Sequence, residues 1–232
     1  MKKLRNITMN QAKPLLQAKD IYKSYTLGKR KVEVLKGISL DIKAGEFVSI
    51  TGKSGSGKST LLSVLAGLDS PDSGAVLLNG VDLTQLTEDE LAIRRQRDIG
   101  FVFQSFHLLP TLTVEENIRF PMEIAKLKDI EASVERLLES VGLIHRRANF
   151  PHQLSGGERQ RAAMARSLGI NPKILFADEP TGNLDEENGE EVLGLLLKLQ
   201  QEFNTALVVV THEEDLAQRA HRTIHIQGGK LA

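Results

Sequence analysis

Along this chain, stretches of continuous apolar residues alternate with stretches whose apolar positions recur every three or four residues. Four short runs belong to the first kind: FVSIT (Phe47–Thr51), IGFVFQ (Ile99–Gln104), KILFAD (Lys173–Asp178) and ALVVVT (Ala206–Thr211). None alternates cleanly with polar residues, which predicts strands buried on both faces, the habit of parallel sheets. Between them the period is helical. Ser59–Leu68 predicts a helix continuing from a glycine-rich stretch, and Val134, Leu137, Leu138 and Val141 form one apolar stripe at helical spacing. Thr87 with Glu90, and Thr113 with Glu116, stand at capping-box spacing ahead of two further helices. Pro121 should bend or end the second, since it has no N–H and crowds the preceding turn. Residues 105–166 therefore read as a mainly helical sub-domain inserted between the second and third strands. Residues 15–46 carry shorter strand-like pieces, LLQAKDI and VEVLKGISLDI, which predict a small antiparallel sheet. The expected organisation is one α/β domain over 14–232. Its core, 14–104 and 167–232, has a mainly parallel sheet and a small N-terminal antiparallel β sub-domain. A mobile lead over 1–13 precedes it.

Composition narrows the function without naming it. The chain has 232 residues, enough for a substantial buried core. Thirty basic residues balance thirty acidic ones, so no net charge draws the molecule to nucleic acid or an anionic lipid surface. The absence of cysteine excludes disulfides and thiolate metal sites and fits a reducing compartment. MKKLRNITMN is basic but lacks the apolar region of a secretory signal. The apolar runs are too short to span a bilayer. Any membrane role is expected to come through a partner.

Chemistry gathers where the predicted strands end. A glycine-rich loop, Gln104, the Asp178–Glu179 pair and His212 follow the four runs in turn. In open parallel sheets ligands bind at the carboxyl ends of strands, so these groups point to one shared site. Gly52-x-x-x-x-Gly57-Lys58-Ser59 matches the phosphate-binding P-loop. Gly52, Ser54, Gly55, Ser56, Gly57 and Thr60 belong to that cradle, whose N–H groups and helix end attract anions. Lys58 is placed to reach β- and γ-phosphates, and Ser59 to ligate Mg²⁺. Neighbouring Lys53 reads as a solvated cation. Successive strand side chains point to opposite faces, so Asp178 and Glu179 should divide their labour. Asp178 would hold Mg²⁺ through its water shell, and Glu179 would polarise the attacking water.

LSGGERQR, Leu154–Arg161, begins as a capping box between Ser155 and Glu158. That explains the helix start but not Gly156 and Gly157, each of which costs a helix roughly 1 kcal/mol relative to alanine. Two glycines in a first turn make sense where a ligand approaches bare N–H groups. This stretch resembles the signature of ATP-binding cassette (ABC) ATPases, whose common form has Gln in place of Glu158. The resemblance extends from Leu15 to Leu231 and implies a P-loop NTPase core working with ATP and Mg²⁺. It implies that Tyr25 stacks on adenine and that Gln104 senses Mg²⁺ and the attacking water. It further implies that His212 contacts the γ-phosphate, and that Asp185 in GNLD sits at a dimer junction. Ser155, Gly156 and Gly157 would complete the site of a second copy facing head to tail. Taken alone, His221 and His225 read as structural, and the acidic run Asp185–Glu191 as a solvated helix start apart from Asp185 itself.

ADEPTGNLD, GLDSPDSG and the stretch through LLPTLTVEEN are most similar to ATPases of lipoprotein-releasing transporters and macrolide or peptide exporters. Importer ATPases of related type often carry a regulatory extension, and none is expected here. The resemblance implies a peripheral protein on the cytoplasmic face of the cell membrane, held by a permease that contacts residues 105–150. A cell-division or envelope-regulatory ATPase controlling a cell-wall hydrolase is the rival expectation. A DNA-repair or translation ATPase is disfavoured by neutral charge, and no nucleic-acid partner is expected.

Overall fold

The structure, a computed structural model, describes residues 13–232, so the expected lead lies, except for Lys13, outside the described residues. In chain order the strands are β1 (Leu16–Leu27), β2 (Arg30–Ile42), β3 (Phe47–Thr51), β4 (Ser73–Leu78) and β5 (Val81–Asp82), then β6 (Ile99–Phe103), β7 (Ile174–Asp178), β8 (Ala206–Val210), β9 (Arg222–Gln227) and β10 (Lys230–Leu231). The helices are α1 (Lys58–Leu65), α2 (Glu88–Asp98), α3 (Val114–Ile124), α4 (Ile130–Ser140), α5 (Gly156–Leu168), α6 (Glu186–Glu202) and α7 (Glu214–Arg219).

All four continuous apolar runs are strands of one six-stranded sheet, ordered β10-β9-β3-β8-β7-β6. β9, β3, β8, β7 and β6 run parallel, while β10 folds back antiparallel on β9. β9, which carries TIHIQ, is thus followed by one more short strand. Alternate residues of these strands enter two separate cores. Val48, Ile50, Phe176 and Val208 face one, with α1 and the antiparallel sheet. Phe47, Leu175, Leu207 and Val209 face the other, under α3 to α6. A strand covered on both sides needs apolar residues at every position, which is why these runs did not alternate.

The second sheet, ordered β2-β1-β4-β5, is antiparallel. Its first two strands are longer than the sequence pieces suggested, at 12 and 13 residues, and residues 73–82 supply the rest. Register shifts along β1 broke the alternation that would have revealed its length. α1 ends at Leu65, three residues before the expected Leu68, because Gly67 takes a left-handed φ of 63° that stops the helix. Both capping boxes form. Pro121 does not end α3, which runs on to Ile124. Ile118 and Met122, fully buried in the helical core, hold the helix through the loss of one hydrogen bond. The stripe of α4 is buried as its spacing required.

Candidate functional site

The glycines of the loop between β3 and α1 make its shape possible. Gly52, Gly55 and Gly57 have φ of 147°, 75° and 105°, and a Cβ on Gly52 would stand 2.3 Å from the Ile226 carbonyl oxygen. Gly57 caps α1 without any side-chain acceptor, so the first N–H groups of that helix have no intrahelical partner and open toward the loop. Ser56 Oγ is buried without a hydrogen-bond partner. Lys58 Nζ, largely buried, is held by the Gly52 carbonyl at 2.9 Å and the Lys53 carbonyl at 3.3 Å. The donors outnumber the acceptors. An anionic oxygen ligand fits this cradle.

Tyr25, Glu179 and His212 converge on the cradle, closing with Gly52, Ser54, Gly55, Gly57, Lys58, Ser59 and Thr60 around a cavity of about 460 Å³. Val34 forms the remaining wall, and sequence reasoning missed it because only the β1–β2 register brings it there. Tyr25 donates its hydroxyl to Asp69 at 2.6 Å, and Lys23 binds the same carboxylate at 2.6 Å. Its ring is thus fixed from behind while 39% of the residue stays exposed. The Asp69–Lys23 support was also missed, since nothing local links residues so far apart in sequence.

Ser59 Oγ donates to Asp178 Oδ1 at 3.2 Å, which joins the two expected metal ligands across 119 residues. Burial raises the Asp178 pKa, and the Glu179 charge adds to this, while the Ser59 hydroxyl and Lys58 oppose it. Such a carboxylate gains from a cation. No cluster of three or more His, Cys, Asp or Glu suited to a metal occurs among the described residues. Ser59 and Asp178 offer two protein oxygens, as many as Mg²⁺ commonly takes when phosphate and water complete its shell. Glu179 does not simply continue the strand to the opposite face, as alternation had suggested. It lies beyond β7 with a left-handed φ of 45°, its N–H bonded to the Val210 carbonyl at 2.9 Å. This turn, rather than strand pleating, brings Glu179 Oε1 within 3.5 Å of His212 Nδ1.

Gln104 does not line the cavity: its side chain donates to Asn183 Oδ1 at 3.3 Å, and Asn183 Nδ2 returns a bond to the Gln104 carbonyl at 3.0 Å. Asn183 belongs to the GNLD stretch, where only Asp185 had been singled out. Asp185 caps α6, accepting the Asn188 N–H at 2.9 Å, which lowers its pKa. His221 Nδ1 accepts the Phe47 N–H at 2.8 Å and His225 Nδ1 lies 3.1 Å from Thr51 Oγ1, in keeping with structural roles.

Ser155, Gly156 and Gly157 stand elsewhere, at the start of α5, and do not line the cavity. The capping box is present: Glu158 N–H reaches Ser155 Oγ at 3.2 Å, and Glu158 accepts the Ser155 N–H at 2.8 Å. Packing supplies a reason for the glycines that the sequence did not show. A Cβ on Gly157 would meet Asn188 Oδ1 at 3.0 Å, and one on Gly156 would meet Leu184 Cδ2 at 3.1 Å. Both neighbours are side-chain ends able to give way a little, so crowding accounts for part of the preference and leaves the bare N–H groups for another ligand.

Residues 35–182 match the family model for the ABC transporter domain. The lipoprotein-releasing system ATP-binding protein LolD of Acinetobacter baylyi is 50% identical over 94% of this chain and 97% of its own length. The macrolide export ATP-binding/permease protein MacB of Bdellovibrio bacteriovorus is 47% identical over 94% of this chain, which spans 33% of that longer protein. Among solved structures, a dimer of the ATP-binding cassette MJ0796 in a post-hydrolysis state, bound to ADP and Pi, superposes with a TM-score of 0.85. It is 41% identical and aligns over 93% of this chain and 96% of its own. The chain belongs to the ABC transporter family. It is an ATPase that uses ATP with Mg²⁺, the ATP-binding subunit of a transporter, and is similar to members of the lipoprotein-releasing and macrolide-export group. Dimerisation and a membrane permease partner accompany that assignment, and no helix among the described residues is long and apolar enough to cross a membrane.

Proposed function

We propose that this chain drives a separate permease in lipoprotein release, or in export of a peptide- or macrolide-like compound, through ATP-dependent closure of two copies head to tail. The observation that carries the reading is a division of labour within one chain. The cavity gathers the P-loop, Tyr25, Glu179 and His212, whereas the start of α5, with Ser155 exposed, Gly156 partly so and Gly157 buried, lies outside it. A second copy turned head to tail supplies to each cavity the SGG end that its own chain withholds.

Bound ATP with Mg²⁺ supplies the phosphoanhydride and the charge that the site is built to grip. Within the chain, Lys58 and the loop N–H groups would orient the phosphates, while Ser59, Asp178 and Gln104 are the residues that would hold Mg²⁺. Glu179 takes a proton from the attacking water, and His212, beside it, faces the γ-phosphate. Tyr25 holds the base. Ser155, Gly156 and Gly157 reach across to the partner copy, with Asp185 near the junction. Loss of the γ-phosphate removes the shared charge, and the pair opens.

The permease fits an apolar groove of about 550 Å³ between α2 and α3, whose rim includes Ile93, Leu109, Phe120 and Ile124. Ile93 and Phe120 are 61% and 42% exposed, an unusual surface for a protein of balanced charge. The groove recruits α2 as well as the expected 105–150 segment. Through the permease the chain would sit on the cytoplasmic face of the cell membrane. Ile93→Asp with Phe120→Asp should abolish co-purification with the permease while the isolated chain still dimerises in ATP. Retained permease binding by that double variant would refute the docking assignment. Lipidated or exported cargo accumulating in cells lacking the chain would support the transport reading, whereas a defect confined to cell-wall cleavage would overturn it.

A further inference from the structure

The residues after Gln104 adopt a backbone that their own side chains disfavour. Phe106 and His107 are consecutive, bear a Cβ, and are both left-handed, with φ of 61° and 49°. Such a pair persists only where the surroundings impose it. The imposing group is Arg166, near the end of α5. Its guanidinium donates to the Phe106 carbonyl at 3.1 Å and also to the His107 carbonyl. Arg159, from the start of the same helix, stands with its guanidinium carbon 5.1 Å from the centre of the Phe106 ring. Downstream, the buried side chain of Asn117 accepts the Leu109 N–H at 2.8 Å and donates to the Leu109 carbonyl at 3.1 Å. Upstream, Gln104 is tied to Asn183. The segment is clamped at three places; at the left-handed pair Arg159 and Phe103 touch the Phe106 and His107 rings, while the Arg166 side chain is the one that grips both of their carbonyls.

Arg166 has a second surface. It lines the apolar groove between α2 and α3, close to Phe101 and Ile170. It is half-buried, and burial lowers its pKa without a carboxylate to oppose the effect among the described residues. A group kept charged at such a cost is held for its hydrogen bonds. Two carbonyls of adjacent residues suit a planar fork, a geometry that an ammonium lacks.

We propose that Arg166 is a positioning residue that locks the 106–107 backbone and thereby sets where Gln104 stands against Asn183, just beyond the end of β7. The proposal rests on Gln104 belonging to the ATP site. α5 presents Ser155 to Gly157 at one end and grips the Gln104 segment near the other.

The test uses the full chain with Arg166→Lys, Arg166→Met and the double variant Arg166→Lys/His107→Gly, because glycine adopts the left-handed region without steric cost. In the nucleotide-free protein, amide hydrogen exchange over residues 104–108 should accelerate about ten-fold in R166K, with α5 and β7 unchanged. The kcat for Mg-ATP should fall about ten-fold with KM within about two-fold, and the H107G change should recover most of both losses. In a Gln104→Ala background, R166K should cost nothing further. Unchanged exchange would overturn the proposal, as would losses additive with Q104A, or a fall in activity that merely follows the melting temperature in both R166K and R166M. Failure of the underlying reading shows separately, as Q104A alone leaving kcat intact.

Discussion

Replacing Glu179 by glutamine removes one negative charge and the proton-accepting oxygen while preserving length and shape at a left-handed turn. The structural cost is small. The ion-pair candidate nearest this carboxylate is the His212 imidazole, 3.5 Å away and 64% exposed on its side chain. Exposed pairs of this kind contribute at most about 1 kcal/mol. For a domain of this size that is a shift of no more than about 2–4 °C in melting temperature. The hydrogen bonds that shape the P-loop are untouched, so Kd for Mg-ATP should stay within about three-fold, or roughly 0.7 kcal/mol. Loss of a general base, by contrast, removes about 10²–10⁴ in kcat, or roughly 2.7–5.4 kcal/mol of barrier lowering. The chain should therefore bind ATP, fail to turn it over, and accumulate as the closed dimer. Phosphate release at saturating Mg-ATP measures the first consequence, and light scattering in ATP against ADP measures the second. A kcat within three-fold of the parent would remove Glu179 from its role. An ATP-loaded variant that stayed monomeric would refute the shared phosphate grip.

Asp98 offers a test of stability and its pH dependence. The residue is 1% exposed and meets Arg94, Arg97 and Lys173 at 3.1–3.3 Å. Burial alone would raise its pKa, but the bonds from Arg97, Lys173 and Arg94 together lower it. Stabilisation from a depressed carboxyl is complete above its unfolded value, near pH 4, and is lost as pH falls through the folded one. Asp98→Asn should cost about 3 kcal/mol in urea unfolding at pH 7, the bottom of the buried-pair range because Arg97 and Lys173 are well exposed. That gap should begin to narrow below about pH 4, and an equal gap at pH 3 and pH 7 would contradict the assignment. Tyr25→Ala should raise KM for ATP about ten-fold at nearly constant kcat, with Tyr25→Phe within two-fold, as expected for a stacking ring. An unchanged KM in Y25A would reduce Tyr25 to packing.

Much of the site was legible because its pieces are local. The P-loop carries its own glycines, the capping boxes need four residues each, and the strand ends announce themselves by an abrupt change from apolar to polar. Features that depend on distant packing were not legible. The sequence gives no sign that Pro121 would be tolerated, that Glu179 would turn out of line with its strand, or that Arg166 would hold the backbone beside Gln104. Nor could it show Lys23 and Asp69 bracing Tyr25, an arrangement made by β1 meeting the loop after α1.

By itself, then, the order of residues determined the parallel core, the cradle for a phosphate and the start of the SGG helix, since each follows from backbone conformations and contacts a few residues apart. Only the tertiary structure decided that Ser59 meets Asp178, that Gln104 is tied to Asn183, and that the SGG end lies outside its own cavity. Those relations join side chains scores of residues apart, and burial of the two cores on opposite faces of the central sheet is what fixes them.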